Sequence, residues 1–418
     1  MKKLLFLFPA LLIIMISASL VHARPAGKSP AGTNAKLKDE WPSIREYPHF
    51  PYMIKNPGPE YADSLRMFQG IPSVVVTPGG RIWVTWYGGG YGEGPENYVM
   101  LSGSDDEGLT WSDFEMVIDP PYRASEPALW LDPDGMMWFM WNLYPLHLRS
   151  RGTQLWVITT ENPDAASPDW SAPRLVAMEL NNFNKPTVLS DGTWLWPTGS
   201  WQAGVFPEHL SHIPPPLGTL SQPLLSRDKG ETFFPGGLIP MEPEHRQCEE
   251  YQVVERKDGV LWLLTRTHRE NFGNGIGESF SYDGGMTWSE VSHTGIVHTQ
   301  SRFFFTRLQS GKILLVKNGP VGEDTGRSQM MAFLSDDDGE TWYGGLMLDE
   351  RNNVSYPDGM QADDGRIYIV YDYSRHHEKE ILLAIFSEED VAKGSLQSEG
   401  SKIKIIVNKA TGFNYKVQ

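Results

Sequence analysis

Cysteine is almost missing from this chain: one residue, Cys248, in 418. An internal disulfide framework is thereby excluded, and thiolate metal sites with it, because both need several sulfurs at set spacings. With no evident base beside it, Cys248 reads as a small buried hydrophobe and not as a nucleophile. Basic residues are also scarce, 36 against 52 acidic ones, for a formal charge of −16. Nucleic acids and anionic membrane surfaces reward clustered Lys and Arg, so neither is an expected partner. Charged residues make up 21% and the hydrophobic set 40%, which excludes a disordered chain. A mean hydropathy of −0.36 excludes a polytopic membrane protein.

Turn formers and aromatics are abundant instead, with 41 Gly, 31 Pro and 15 Trp. That mixture favours many short strands. The long apolar run is at the start: Lys2 and Lys3, then Leu4 to Val21, ending Val21-His22-Ala23 before Arg24. This is the basic, apolar and small-residue order of a secretory signal, and Pro9 favours cleavage over an uncleaved anchor. The expected organisation is a signal peptide at 1–23, a flexible leader at 24–41, a main domain at 42–390 and a C-terminal tail at 391–418. Export to the periplasm or the extracellular space follows, with no membrane contact after cleavage.

Four segments share Ser-x-Asp-x-Gly-x-Thr followed by an aromatic residue. They begin at Ser104, Ser226, Ser281 and Ser335, and the last three are spaced by about 55 residues. Asp and Ser bond back to nearby amides, Gly permits positive φ, and the aromatic residue packs. The wider gap after Ser104 leaves room for one unmarked unit over Glu126 to Val176, with Trp170-Ser171 at the comparable place. A second series runs in phase: Ile71-Pro72, Glu126-Pro127, Lys185-Pro186, Glu250-Tyr251, Ser301-Arg302 and Tyr356-Pro357. Each opens an alternating apolar run, a Gly turn and a second strand. Six such units, each too small to bury its own face, predict an all-β six-bladed β-propeller of four-stranded antiparallel blades, over a β-solenoid or sandwich. A strand from Pro42–Met67, or the tail after Lys402, is expected to close the ring.

The Ser-x-Asp-x-Gly-x-Thr-Trp segments resemble the Asp-box, or BNR repeat, of the sialidase (neuraminidase) superfamily, over about Leu65 to Phe386. In that family the box is a structural turn, so Asp106, Asp228, Asp283 and Asp337 are expected to be architecture. The resemblance further implies three arginines clamping a sugar carboxylate, a Glu–Tyr pair and a loop aspartate. Guanidinium suits that clamp because it binds carboxylates in a two-pronged way. Here the first arginine position reads Gly70-Ile71-Pro72, and Gly273 to Glu278 lacks the second. Arg302 matches the third, Glu250 the glutamate and Tyr356 the tyrosine, while the loop aspartate has no clear match, the acidic side chains between Trp86 and Ser104 being Glu93 and Glu96. The chain therefore resembles a diverged, sialidase-like member and not a strict sialidase.

The expected function is an exported glycoside hydrolase cleaving a terminal acidic sugar from a polysaccharide or glycoconjugate. Tyr356 would attack the anomeric carbon, activated by Glu250, while Glu93 or Glu96 protonates the leaving oxygen. A one-residue slip would put Glu249 in the place of Glu250. Because inner strands converge on a propeller axis, Arg302, Lys185, Glu126, Arg266, His268 and Asp358 are candidate substrate contacts, with Trp86, Tyr87 and Trp201 as stacking faces. Two alternatives stay open: a uronate lyase with His268 or Tyr356 as base, and a glycan-binding propeller without catalysis. Glu208-His209-x-x-His212 has metal-like spacing, but its Pro-rich surroundings between Gln202 and Gln222 argue against an aligning helix. His376-His377 reads as a surface pair. No metal and no cofactor are expected.

Overall fold

Six blades follow one another along the chain in a computed structural model that describes residues 51–144, 153–200 and 220–413. The chain divides into Met1–Tyr47 and Pro48–Gln418, and all described residues belong to the second unit. The signal and leader segments, Trp201, and Glu208, His209 and His212 lie outside the described residues. Blade one comprises β2 (Phe68–Val76), β3 (Ile82–Gly89), β4 (Tyr98–Ser104) and β5 (Met116–Ile118), with β1 (Met53–Lys55) as a fifth strand on its outer edge. Blade two is β6 (Arg123–Leu131) to β9 (Arg174–Met178). Blade four runs from β17 (Gln252–Glu255) to β20 (Ser292–Val297), and blade five from β21 (Phe304–Arg307) to β24 (Tyr343–Asn352). Blade six runs from β25 (Val354–Gln361) to β28 (Lys402–Lys409). All pairings are antiparallel, so the expected six-bladed propeller is the observed fold.

Blade three is split into two short sheets, one of Asn181–Asn182, Thr198–Ser200 and Leu220–Ser221, the other of Thr187–Val188, Trp194–Trp196, Leu224–Ser226 and Phe234–Pro235. Pro186, Pro197 and Pro223 sit at the breaks between Asn181–Asn182 and Thr187–Val188, between Trp194–Trp196 and Thr198–Ser200, and between Leu220–Ser221 and Leu224–Ser226. A proline has no N–H to give the ladder, so three in line divide the blade.

The four repeated boxes form one and the same turn. In each, the Thr hydroxyl donates to the Asp carboxylate at 2.5–2.6 Å. The Ser hydroxyl donates to the same carboxylate and accepts the Gly amide, all at 2.8–2.9 Å. The glycines take φ between +80° and +92°, and a Cβ there would strike the preceding blade, Trp138 at Gly230 and Trp262 at Gly339, and at Gly230 also Trp194 of its own blade. Thus the box both closes its own hairpin and docks it on its neighbour. In blade two, Ser171 accepts the Thr159 amide at 2.9 Å, as Ser112 and Ser289 accept Gly103 and Phe280 at 3.0 Å. The unmarked unit therefore keeps the Trp-Ser half of the turn.

The ring does not close by strand exchange between the termini. Lys402–Lys409 pairs with Glu380–Phe386 as the outer strand of blade six, and Met53–Lys55 pairs with Met116–Ile118 in blade one. Blades one and six instead pack face to face through Val74, Val84, Trp86, Val370, Ile381 and Leu383. Arg66 and Gln69 complete the seam by donating to the Asn408 carbonyl at 2.8 and 3.1 Å. A short helix, α1 (Glu388–Lys393), is fixed by a capping box between Ser387 and Asp390 and by Gly394 at φ 68°.

Candidate active site

Three inner strands open with a residue–proline pair in an unusual conformation. Ile71, Glu126 and Tyr356 have φ of 56°, 50° and 54°. Each lies where the strand pairing slips, between Gly70 and Ser73, Ser125 and Ala128, and Ser355 and Asp358. The bulge takes the side chain out of the sheet's alternation and turns it to the axis. Non-glycine residues held there cost about 1–3 kcal/mol each, which the surrounding packing must offset. At Ile71 part of that support is the amide bond to Asp372 Oδ2, 2.9 Å.

Tyr356 is buried and ringed by guanidinium groups. Arg266, directly after the blade-four strand Leu261–Thr265, donates one Nη to Tyr356 Oη and to Glu250 Oε2, both at 2.8 Å. Arg375 lies 4.1 Å, Arg302 5.2 Å and Arg327 5.3 Å from the centre of the tyrosine ring. Burial pushes the Tyr356 phenol up to about 12, with the adjacent arginines pulling it down and Glu250 pushing it up. Glu250, not Glu249, shares Arg266 with the tyrosine. The chain turns sharply there, Cys248 at φ 50° with its carbonyl bonded to the Glu250 amide at 2.6 Å. Glu249 is buried with neither carboxylate oxygen bonded among the described residues, and burial raises its carboxyl to about 7.

Arg302, the one arginine matched to the clamp, does not stand alone beside the tyrosine. Arg266, already a candidate contact, is joined around the phenol by Arg327 and Arg375, which lie at strand ends and were not among the candidates. Arg375 explains the glycine at position 70. A Cβ on Gly70 would stand 2.8–2.9 Å from Arg375 Nε, Cδ and Cγ, so the missing side chain is the space that Arg375 fills. Asp372, also unforeseen, holds Arg375 Nε at 2.8 Å and accepts the Ser355 hydroxyl at 2.6 Å. Beside them Phe68, Glu93, Arg327, Ser355 and Arg375 line a cavity of about 330 Å³, at the small end of ligand sites.

Glu93 stands at the rim, 3.2 Å from Arg123 and 3.5 Å from Arg375. Glu96 is exposed and folds back over its own loop beside Gly90. Glu126 faces the axis, buried near Glu250 and Glu93, and burial together with those two carboxylates raises its carboxyl well above the usual range. Arg302 sits beneath the tyrosine and donates to the carbonyls of Pro72 at 3.2 Å and Phe183 at 3.5 Å.

Four candidates fall elsewhere. Lys185 and Asp358 form a buried pair at 2.8 Å one step further along the axis. Lys185 also donates to the carbonyls of Val74 and Gly359, so it ties blades one, three and six together. Trp86 is fully buried in the seam between blades one and six, its indole N–H on Gln69 at 3.0 Å; it offers no face to a sugar. Tyr87, its neighbour on the other sheet face, is the one beside the site, 3.3 Å from Arg123. His268 lies in the loop after Arg266 with its Nδ1 turned to the Asn271 amide at 3.4 Å.

A family model described as a BNR repeat-like domain matches residues 80–369. Among solved structures, the Hadza microbial sialidase Hz136 is similar at 21% identity and TM-score 0.61, over 79% of this chain and 67% of that one. The leech intramolecular trans-sialidase complexed with 2,7-anhydro-Neu5Ac is similar at 15% identity and TM-score 0.59, over 80% and 70%. The intramolecular trans-sialidase from Ruminococcus gnavus, in complex with oseltamivir carboxylate, is similar at 13% identity and TM-score 0.58, over 82% and 99%. No curated protein sequence matches. The chain belongs to the BNR repeat-like family, within the sialidase-like six-bladed β-propellers.

Proposed function

We propose that this chain is an exported glycoside hydrolase that removes a terminal acidic sugar, with Tyr356 as nucleophile and Glu250 as its base. The observation that carries the reading is the buried Tyr356 sharing an Arg266 Nη with Glu250 amid three further guanidinium groups. Four guanidinium groups around Tyr356, of which Arg327 and Arg375 also line the cavity, favour an anionic ligand. The two trans-sialidases similar in fold are described with 2,7-anhydro-Neu5Ac and oseltamivir carboxylate, and we extend a carboxylate-bearing ligand from them to this chain. Lys2, Lys3 and the apolar run to Val21 support export.

In this reading the Tyr356 oxygen bonds to the anomeric carbon while its proton passes to Glu250. The glycosidic bond breaks and the leaving oxygen takes a proton from Glu93. Water then attacks the anomeric carbon and gives a proton to Glu93, while the Tyr356 oxygen leaves and takes back its proton from Glu250, giving the free sugar and restoring all three groups. Glu93 can fill its part because the substrate carboxylate draws Arg375 to itself, leaving Glu93 with one cation fewer and a higher proton affinity.

The test is mass spectrometry of products from sialylated, uronate-bearing and rhamnose-capped glycans. Fragments that together exceed the substrate by one water support hydrolysis. Fragments with no added water replace it by a lyase, and no cleavage across the panel replaces it by a glycan-binding module.

A further inference from the structure

Three carboxylates meet at the mouth of the axis, and the cations there serve only two of them. Glu250 has Arg266 at 2.8 Å, and Glu93 has Arg123 at 3.2 Å and Arg375 at 3.5 Å. Glu126 makes no ion pair among the described residues, although it is buried. The arginines near it are committed elsewhere: Arg123 to Glu93, to the Tyr87 hydroxyl and to the ring of Tyr144, and Arg302 to the carbonyls of Pro72 and Phe183. The strained conformation at φ 50° nonetheless holds this side chain on the axis, in the manner of Tyr356. A carboxylate left buried beside two others without a cation is expensive, and the cheapest relief is a proton.

We propose that Glu126 is the proton-carrying carboxyl of this site: it takes up a proton as an anionic sugar binds and donates a hydrogen bond to that sugar. The inference rests on the acidic-sugar reading above and adds a specificity-determining residue to it. An anion brought beside Glu126 adds to the repulsion from Glu250 and Glu93, so binding draws the proton in. On balance the groups that face it favour its protonated form. Burial, Glu250 and Glu93 raise its carboxyl, outweighing Arg123 and Arg302; Tyr87 and Tyr144, also adjacent, are themselves held protonated by burial.

The test is calorimetric titration of the mature protein with N-acetylneuraminic acid and with glucuronic acid at pH 7, in buffers of different ionisation enthalpy. Uptake of about half a proton per bound sugar is expected, rising at pH 8, and Glu126→Gln should abolish it. Carbon-13 NMR of the Glu126 carboxyl in wild-type protein gives the same answer without a variant: titration near neutrality when free, and a shift to higher pH when bound. Binding without uptake, or uptake that survives in E126Q, overturns the inference and leaves the acidic-sugar reading standing. Neither acid binding overturns that reading and the inference together.

Discussion

Two buried charged clusters lie two residues apart on the same inner strand and behave in opposite ways. At Lys185–Asp358 every donor is used: the ammonium has the carboxylate, Val74 O and Gly359 O, and Asp358 accepts the Val74 amide at 3.0 Å. Around Tyr356 the accounts do not close. Arg266 Nε, Arg302 Nε and both Glu249 oxygens have no hydrogen-bond partner among the described residues. Buried charge that the protein itself satisfies holds blades together, whereas buried charge left short of partners waits for a ligand. Position on the axis alone does not separate the two: Lys185, a candidate contact, is taken up by Asp358 and two carbonyls.

Four substitutions break or sharpen the contrast. Tyr356→Phe, which removes only the hydroxyl, should lower kcat on the acidic-sugar substrate by about 10³-fold or more with the melting temperature little changed; an unchanged rate ends the assignment. Lys185→Met leaves Asp358 buried without its cation and should cost about 3–5 kcal/mol of stability in denaturant melts. The folded fraction should keep its kcat/KM, and a selective loss of activity would return Lys185 to the site. Arg375→Ala should raise KM for the acidic sugar by about 10–100-fold, the worth of a charge-assisted hydrogen bond. Gly70→Ala should move KM the same way by less, since its methyl group presses on Arg375. If G70A leaves KM unaltered, the link between positions 70 and 375 fails.

The smallest effect belongs to the boxes. Hydrogen bonds from Thr341 hold Asp337, and those from Thr232 hold Asp228, at about 2, below the ordinary 3.8. A carboxyl depressed in the folded state stabilises above its unfolded value, and that stability is lost as pH falls towards the folded one. Wild-type protein should therefore lose stability between about pH 4 and pH 2. Asp337→Asn should lose a little at neutral pH and less of what remains in acid, with turnover untouched.

The propeller was legible because each box is local: Ser, Asp, Gly and Thr bond within seven residues, so their spacing is written in the chain. The site was legible only where it shares that locality. Tyr356, Glu126 and Glu250 open inner strands, and the repeat phase marks those positions. Arg327 precedes the strand Ser328–Ser335 and Arg375 follows Ile367–Tyr373, so they belong to loops whose direction no periodicity encodes. Their signal was slight, an arginine beside an apolar run. Trp86 was misread by the alternation itself: at period two, Tyr87 takes one face of the sheet and Trp86 the other. Lys185 and Asp358 pair between inner strands, and sequence carries no measure of how far along the axis such a pair lies.

The central claim is that the Tyr356 oxygen bonds to the sugar. A slow substrate carrying fluorine beside the anomeric carbon should accumulate that bond, and intact-mass and peptide mapping locate it. The account predicts one adduct on Tyr356, absent in Y356F; turnover with no adduct, or an adduct on any other residue, would contradict it.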